Sequence, residues 1–429
     1  MSDEIGKKLH QWGQQLYPLC RSITGQGVRD TLHFLQQQLP NLTIASIPSG
    51  TQVFDWQVPQ EWLIKAAYIA DLHGNKIIDF AHHNLHVLGY STAIDQQISL
   101  SELQQHLYSL PNKPDTIPYV TSYYQPRWGF CVTERQRNSL TDEFYQVKIE
   151  TEHFDGVLNY GELLIQGETK QEILLSTYVC HPSMANNELS GPLVTTALAQ
   201  WLTNLSKPYY SYRIIFVPET IGAICYLHRH LTQLKQHVIA GFVLTCIGDD
   251  RAYSYLSSRQ ETSLADEVAK HVLTHEVGDF KHYSFLQRGS DERQYCAPGI
   301  DLPVCSMMRT KYGEYPEYHT SDDNFELVTP SGLAGGYHVV QQCLYLLEHN
   351  RYYQVTVLGE PQLGKRGLYP TISDMSQDYT DIQTMMNFIS YCDGQHSLLQ
   401  IAKKIDCYAI NLISLAEKLL SHQLIQVVK

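Results

Sequence analysis

Residues 172–193, EILLSTYVCHPSMANNELSGPL, decide the fold. They open on an apolar run that reads as a buried strand. They close on Ser190-Gly191-Pro192, after which residues 192–205 read as a helix. Pro192 suits the first helical turn, where its missing N–H is not required. Ser190-Gly191 would let that helix approach the sheet closely. A plain connection needs one cap and one turn residue. This one carries His181, Asn186, Asn187, Glu188 and Ser190, nearly consecutive, and all can hydrogen-bond or meet a metal.

The alternation continues on both sides. GVLNYGELLIQG, RIIFVPE and VIAGFVLTCIG read as strands, and residues 222–236 and 262–274 as helices. Strands alternating with helices predict an α/β sheet with parallel elements, flanked by helices. Such sheets bind ligands at the carboxyl ends of their strands. His181, Glu219 and the pair Asp249-Asp250 each lie just past a strand end.

Further out, residues 3–20 and 28–38 are helical, with Ser22-Ile-Thr-Gly25 breaking the pattern between them. From 43 to about 150 the texture changes to short β-like segments: LTIASI, AAYIADL, KIIDFA, HVLGYS and YQVKIE. We expect an α/β domain over 1–44 and 136–352, interrupted by a β-rich module at 45–135. A strand and a Gly/Pro-rich linker occupy 352–370. Three short helices and a closing apolar LIQVV then predict a winged-helix-like domain over 371–429. That tail has more Asp and Glu than Lys and no Arg, whereas a DNA-reading face needs cations on the phosphates. It is read as a protein-contact or self-association module, so a homo-oligomer is an open expectation.

The net charge of −13 over 429 residues argues against nucleic acid or an anionic membrane as partner of the whole chain. Ten cysteines include no C-x-x-C pair, which argues against a structural zinc knuckle. Most sit in apolar runs, as small buried hydrophobes do. MSDEIGKKLHQWGQQLY has no apolar signal region, and no run of eighteen apolar residues occurs. The expectation is a soluble protein of the reducing cytoplasm.

Five constellations carry candidate chemistry. His181 with Glu188 is a capping histidine or a metal ligand beside an orienting group. Glu219 in VPETIG is a dipole-stabilised first-turn residue or a general base. Asp249 and Asp250 are metal ligands or an exposed turn neutralised by Arg251. Ser290, Asp291 and Arg293 in RGSDERQY form a surface loop or the wall of a substrate pocket. KYGEYPEYHTSDDN brings Tyr312, Glu314, Glu317, Tyr318 and His319 together as a polar surface loop or as the density a metal-bound histidine needs.

In this order the pieces resemble the zinc aminopeptidase family of leucyl-aminopeptidase and glutamate-carboxypeptidase type, over roughly residues 150–350. CHPSMANNELSGP, VPETIGAI, GSDERQYCAPG and GEYPEYHTS are similar to the aminopeptidase-like proteins found with surface-polysaccharide biosynthesis genes. That narrower resemblance extends over essentially the whole chain. It implies an inserted β-rich module and a C-terminal winged-helix-like domain. His181, Glu219, Ser290-Asp291 and His319 match the wider family's motifs. Asn187 stands where that family has its bridging Asp, Thr220 where it has a second Glu, and Thr245 where it has a strand Asp. Asn and Thr bring no anionic oxygen, so one zinc ion is expected, with two left open. The ligands would be His181 and His319 with Glu188, Asp249 or Asp250.

The resemblance implies hydrolysis of an N-terminal peptide or amide bond, on a small peptide or aminoacyl substrate. Glu219 would be the base, and Tyr318 or a neighbouring tyrosine would steady the oxyanion. Asp291, Glu314 or Glu317 would bind the substrate ammonium, and Asn187, Ser290, Arg293 and Tyr312 would line the site. The alternative is a binding module that keeps the fold without metal.

Overall fold

The structure, a computed structural model, describes residues 2–368 and 377–428. The chain divides into two compact units, Met1–Asp266 with Asp279–His338, and Glu267–Gly278 with Val339–Lys429.

The first unit is built on an eight-stranded sheet. Its strands are β1 (Thr43–Pro48), β2 (Val157–Ile165), β3 (Glu172–Tyr178), β4 (Ser211–Val217), β5 (Val238–Leu244), β6 (Ser254–Leu256), β7 (Lys281–Tyr283) and β8 (Val304–Met308). Their spatial order is β1-β2-β4-β3-β5-β8-β6-β7. The central four, β4, β3, β5 and β8, run parallel. Both faces of β3, β4 and β8 are buried, as their continuous apolar runs require. The helices Ser190–Thr203 and Ile221–His237 follow β3 and β4. A Cβ on Gly191 would stand 2.3 Å from the Leu244 carbonyl oxygen and 2.4 Å from Thr177 Oγ1. Only glycine lets the first of these helices lie that close to the sheet.

Between β1 and β2 the chain makes a second sheet. Its four antiparallel strands are ordered Lys76–Asp79, Glu61–Ala70, Phe144–Phe154, Ile94–Ser99. AAYIADL, KIIDFA and YQVKIE fall in strands of this sheet, which takes in residues up to Phe154. HVLGYS is not a strand: His86 closes a short helical turn, and Val87 and Gly89 make only isolated bridges. LTIASI supplies β1 of the large sheet instead.

In the second unit, Tyr352–Val355 lies between Asp393–Ser397 and Ile425–Val427 in an antiparallel sheet. Helices Gln377–Ser390, Leu398–Lys404 and Asn411–Ser421 accompany it. Ser397 and Gln400 form a reciprocal cap on the middle helix. Its Leu398, Ile401 and Ala402 and the last helix's Leu412, Ala416 and Leu419 are buried. This is a winged-helix pattern whose sheet begins at Tyr352, ahead of the linker. The start of the expected 371–429 domain, residues 371–376, lies outside the described residues.

All ten cysteines are free. Among the described residues, no helix is long and apolar enough to cross a membrane.

Candidate active site

The carboxyl ends of β3, β4 and β5 converge on one largely buried cluster of polar side chains, at the sheet edge where parallel topology places ligands. β3 delivers Cys180 and His181, β4 delivers Glu219, and β5 delivers Thr245 and Cys246. Four non-glycine residues beside these ends hold left-handed backbone: Ser183 (φ 44°), Thr220 (64°), Cys246 (46°) and His319 (55°). Each such residue costs of order 1–3 kcal/mol and persists only where its surroundings hold it. Their concentration here marks the cluster as functional ground.

His181 is buried. Its Nδ1 lies 2.7 Å from Glu188 Oε2, and its Nε2 lies 3.6 Å from Glu219 Oε2. Glu188 comes back to the ring through the tight turn Ala185–Leu189. The Arg21 guanidinium is buried beside it, with Nε 3.8 Å from Glu188 Oε1 and donating to the His181 carbonyl at 2.9 Å. Burial pushes the Glu188 carboxyl up to about 8, and Arg21 opposes that. A guanidinium keeps its proton, and Glu188 is the one carboxylate paired with it among the described residues. The Arg21 charge favours the Glu188 carboxylate, and toward that carboxylate His181 Nδ1–H donates. That leaves the Nε2 lone pair facing Glu219. Burial, seconded by Arg21, lowers His181 to about 3, so the ring is neutral.

Glu219 is held over this ring. Its N–H donates to Cys180 Sγ at 3.2 Å. Burial raises its carboxyl to about 7, against the opposing charge of Arg293 and the neighbouring Ser290 hydroxyl. Thr220 is clasped on both sides: its N–H donates to Asp291 Oδ1 at 2.7 Å, and its hydroxyl accepts from Arg293 at 2.6 Å. Asp291 Oδ2 and Arg293 Nε are buried without a protein partner. Burial and the Glu219 charge hold the Asp291 carboxyl well above the usual range.

His319 faces His181 with ring centroids 5.6 Å apart, and Tyr318 stacks on it at 3.9 Å. His319 Nε2 donates to Asn187 Oδ1 at 3.0 Å. Asn187 Nδ2 donates to the Tyr178 hydroxyl at 2.8 Å, and that hydroxyl meets Thr245 Oγ1 at 2.5 Å. The three departures from the zinc aminopeptidase pattern thus sit within two neighbouring hydrogen-bond groups. Asn187 and Thr245 share Tyr178, and Thr220 joins Asp291 to Arg293.

The structure therefore gathers His181, Glu188, Asn187, Glu219, Ser290, Asp291, Arg293, Tyr318 and His319 in one cluster. The remaining candidates are engaged elsewhere. Asp249 accepts from Asn186 Nδ2 and from the Arg251 and Thr310 N–H groups, at 2.9–3.0 Å, and from Thr310 Oγ1 at 2.6 Å. Asp250 accepts from Thr329 and Ser331 at the start of the helix Pro330–His349. Glu317 pairs with Arg251 through two bonds of 2.7 and 2.8 Å. Tyr312 donates to Glu292 at 2.8 Å, and Glu314 is exposed. Sequence reasoning missed Cys180, Arg21 and Tyr119 as parts of the site and gave Asp323, in the dense stretch 311–324, no role of its own. Asp323 accepts the N–H groups of Ala185, Asn186 and Asn187 and so shapes the turn that carries Glu188. Its position in the acid-dense stretch 311–324 was the available signal. Arg21 offered one too, as a charge in the break between two helical patterns.

One metal-capable group exists among the described residues: Cys180, His181 and Glu188, with ligand atoms within 4.8 Å of one another. The donor chemistry fits one ion and not two. Glu188 sits on the Nδ1 side, as a carboxylate that orients a ligating imidazole does. Glu219 Oε2 stands 3.6 Å from His181 Nε2, beside the nitrogen that would ligate, where a base rather than a ligand is wanted. A second ion would need anionic oxygens where Asn187, Thr220 and Thr245 stand.

Residues 10–350 match the family described as a domain of unknown function, DUF4910, and residues 351–427 match a winged helix-turn-helix family. A Clostridium acetobutylicum protein named for polysaccharide biosynthesis and an aminopeptidase-like domain is 43% identical over 404 residues. That match covers 94% of this chain and 92% of the relative. The crystal structure of a Clostridium acetobutylicum protein described as a peptidase superposes with a TM-score of 0.94 at 41% identity. It spans 100% of this chain and 97% of that one. The zinc aminopeptidase BSAP of Bacillus subtilis has the same fold, with a TM-score of 0.59 at 12% identity, over 79% of this chain and 94% of that one. Fold and site thus define an aminopeptidase-like protein with a C-terminal winged helix. The chain belongs to the DUF4910 family.

Proposed function

We propose that the protein is a metal-assisted hydrolase of aminopeptidase type, acting on an N-terminal peptide or amide bond of a small aminoacyl substrate. The observation that supports this is the placement of a raised carboxylate, Glu219, 3.6 Å from the free nitrogen of an oriented, neutral histidine. His181 and His319 would hold one zinc ion on the Glu219 side. When bound, such an ion polarises a scissile carbonyl and makes water a nucleophile near neutral pH. Glu219 takes the water proton and returns it to the departing amine. The Tyr318 hydroxyl steadies the developing oxyanion. Asp291, with Oδ2 unpartnered, receives the substrate ammonium. Glu188 and Arg21 act behind His181, fixing which ring nitrogen faces the substrate. The polysaccharide link of the Clostridium relative's name suggests a biosynthetic setting for the substrate.

A second reading has its own support. His319 Nε2 already donates to Asn187, and the Arg21 charge already stands beside Glu188, so both groups have a protein partner without an ion. A binding module that has kept the fold would look like this.

Metal content decides between the two. Mass spectrometry of wild-type protein should find about one zinc per chain, lost in His181→Ala. Aminoacyl anilides should be hydrolysed by the loaded protein. Absence of zinc after reconstitution, with no hydrolysis, would leave the binding module.

A further inference from the structure

The inserted module reaches the cluster. Its Tyr119 packs against both histidines, with ring centroids 5.3 Å from His181 and 5.2 Å from His319. Tyr119 N–H donates to the His319 carbonyl at 2.9 Å, and Ser321 N–H donates to Ile117 O at 2.9 Å. Ile117 N–H donates to Ser321 Oγ at 3.0 Å, and Thr116 Oγ1 to Asp322 at 2.8 Å. These bonds clasp residues 116–119 to the loop that carries His319. On the other side, Gly89 and Ser122 tie the same segment to the module.

From Tyr119 the aromatic rings continue outward. Its hydroxyl meets that of Tyr123 at 2.9 Å. Tyr123 lies 6.5 Å from Tyr124, and Tyr124 lies 5.5 Å from Trp56. Tyr124 is 58% exposed and Trp56 36%, with Phe54 nearby in sequence at 43%. Phe54 sits at the tip of the hairpin Gln52–Val53/Trp56–Gln57, in left-handed backbone (φ 50°). A bulky residue in that conformation is costly; its ring packs edge-on against His228 at 5.0 Å and stays partly exposed. Asp55, Gln57, Gln125 and Arg127, close to these rings in sequence, are exposed; Gln57 also donates to Gly50 O and Arg127 to Thr121 O.

We propose that this run is a saccharide-binding track, supplied by the inserted module and continuous with the candidate active site. A sugar ring has an apolar C–H face that lies on aromatic rings and a hydroxyl edge for amides, carboxylates and guanidinium groups. The track offers both. A peptide docked as an added strand calls for a long unpaired strand edge, which the track does not offer; a proline-rich peptide lying on the same rings is an outcome of the test below. The substrate would then be an aminoacyl or acyl amide on an amino sugar, with its sugar along Tyr123, Tyr124 and Trp56. Placing its amide at Glu219 rests on the hydrolase reading above; the track itself does not.

Titration calorimetry tests the track without turnover. N-acetylglucosamine trisaccharide and glucose trisaccharide are titrated into wild type, Trp56→Ala, Tyr124→Ala and the double variant. Wild type should bind at least one of them. The double variant should bind it roughly tenfold more weakly, the effect of an aromatic contact of ordinary strength. Circular dichroism should not change, because both side chains are exposed. No heat with either sugar at millimolar concentration, or equal affinity in the double variant, overturns the proposal. So does a short proline-rich peptide that binds wild type in the sugars' place and is lost in the same variants. Sugar binding without any anilide hydrolysis would refute the hydrolase reading and leave the track standing.

Discussion

Two stretches of this chain are dense in ionisable residues, and they behave in opposite ways. Residues 180–188 fold back on themselves, so that Cys180, His181 and Glu188 meet in the interior. The acids at 249–250 and 314–317 disperse. Asp249 ties two loops, Asp250 accepts from Ser331 at the start of the helix Pro330–His349, Glu317 pairs with Arg251 near the surface, and Glu314 points to solvent. Density in sequence is therefore a poor guide. What separates the two is whether the backbone turns the groups toward a common, desolvated point.

The comparison is broken most sharply at Glu219, which belongs to the convergent set. Glu219→Gln keeps the shape and removes the base. Hydrolysis should fall by about 10²–10⁴-fold with metal content unchanged, read as kcat on an aminoacyl anilide. Full activity in this variant would remove Glu219 from the chemistry.

The next effect is on stability. Arg21→Met strands the Glu188 carboxylate in the interior, and Glu188→Leu strands the guanidinium. Each should cost about 3–5 kcal/mol in urea unfolding. The double variant Arg21→Met/Glu188→Leu should recover much of that loss, because no buried charge is left alone. Additive losses would mean that the two residues act separately.

Part of this was legible beforehand. The strand–loop–helix reading of 172–193 held because each signal was local: an apolar run, a small-residue turn, and a proline where a helix can begin. The alternation that followed placed His181 and Glu219 at strand ends, and strand ends share one edge of a parallel sheet. The winged-helix pattern was local too. Arg21, by contrast, meets Glu188 across 167 positions of chain, a distance no period or motif spans. Tyr119 reaches the site only because the inserted module folds back on the loop 317–322. For Asp249 and Asp250 the sequence shows two carboxylates after a strand. It does not show that loop amides and hydroxyls already take up their oxygens.

Within the dispersed set, Asp249→Ala should be the costliest change. It leaves the Thr310 and Arg251 N–H groups and the Asn186 amide without their acceptor. A loss of about 2 kcal/mol is expected from buried donors left unpaired. Zinc content should not change. A loss of zinc with stability intact would return Asp249 to the ligand set.

Glu317→Ala should do least. The Arg251 side chain is 47% exposed and that of Glu317 22%, so water and salt screen the pair in spite of its two short bonds. Exposed pairs of this kind contribute less than about 1 kcal/mol. A double-mutant cycle with Arg251→Ala should give a coupling of that size, shrinking as salt is raised. Turnover should stay near wild type, because the pair lies outside the His181–Glu219 cluster. If Glu317→Ala instead abolished turnover while stability held, the acid-dense loop would be part of the machinery. Convergence on one buried point would then have failed to separate the two stretches.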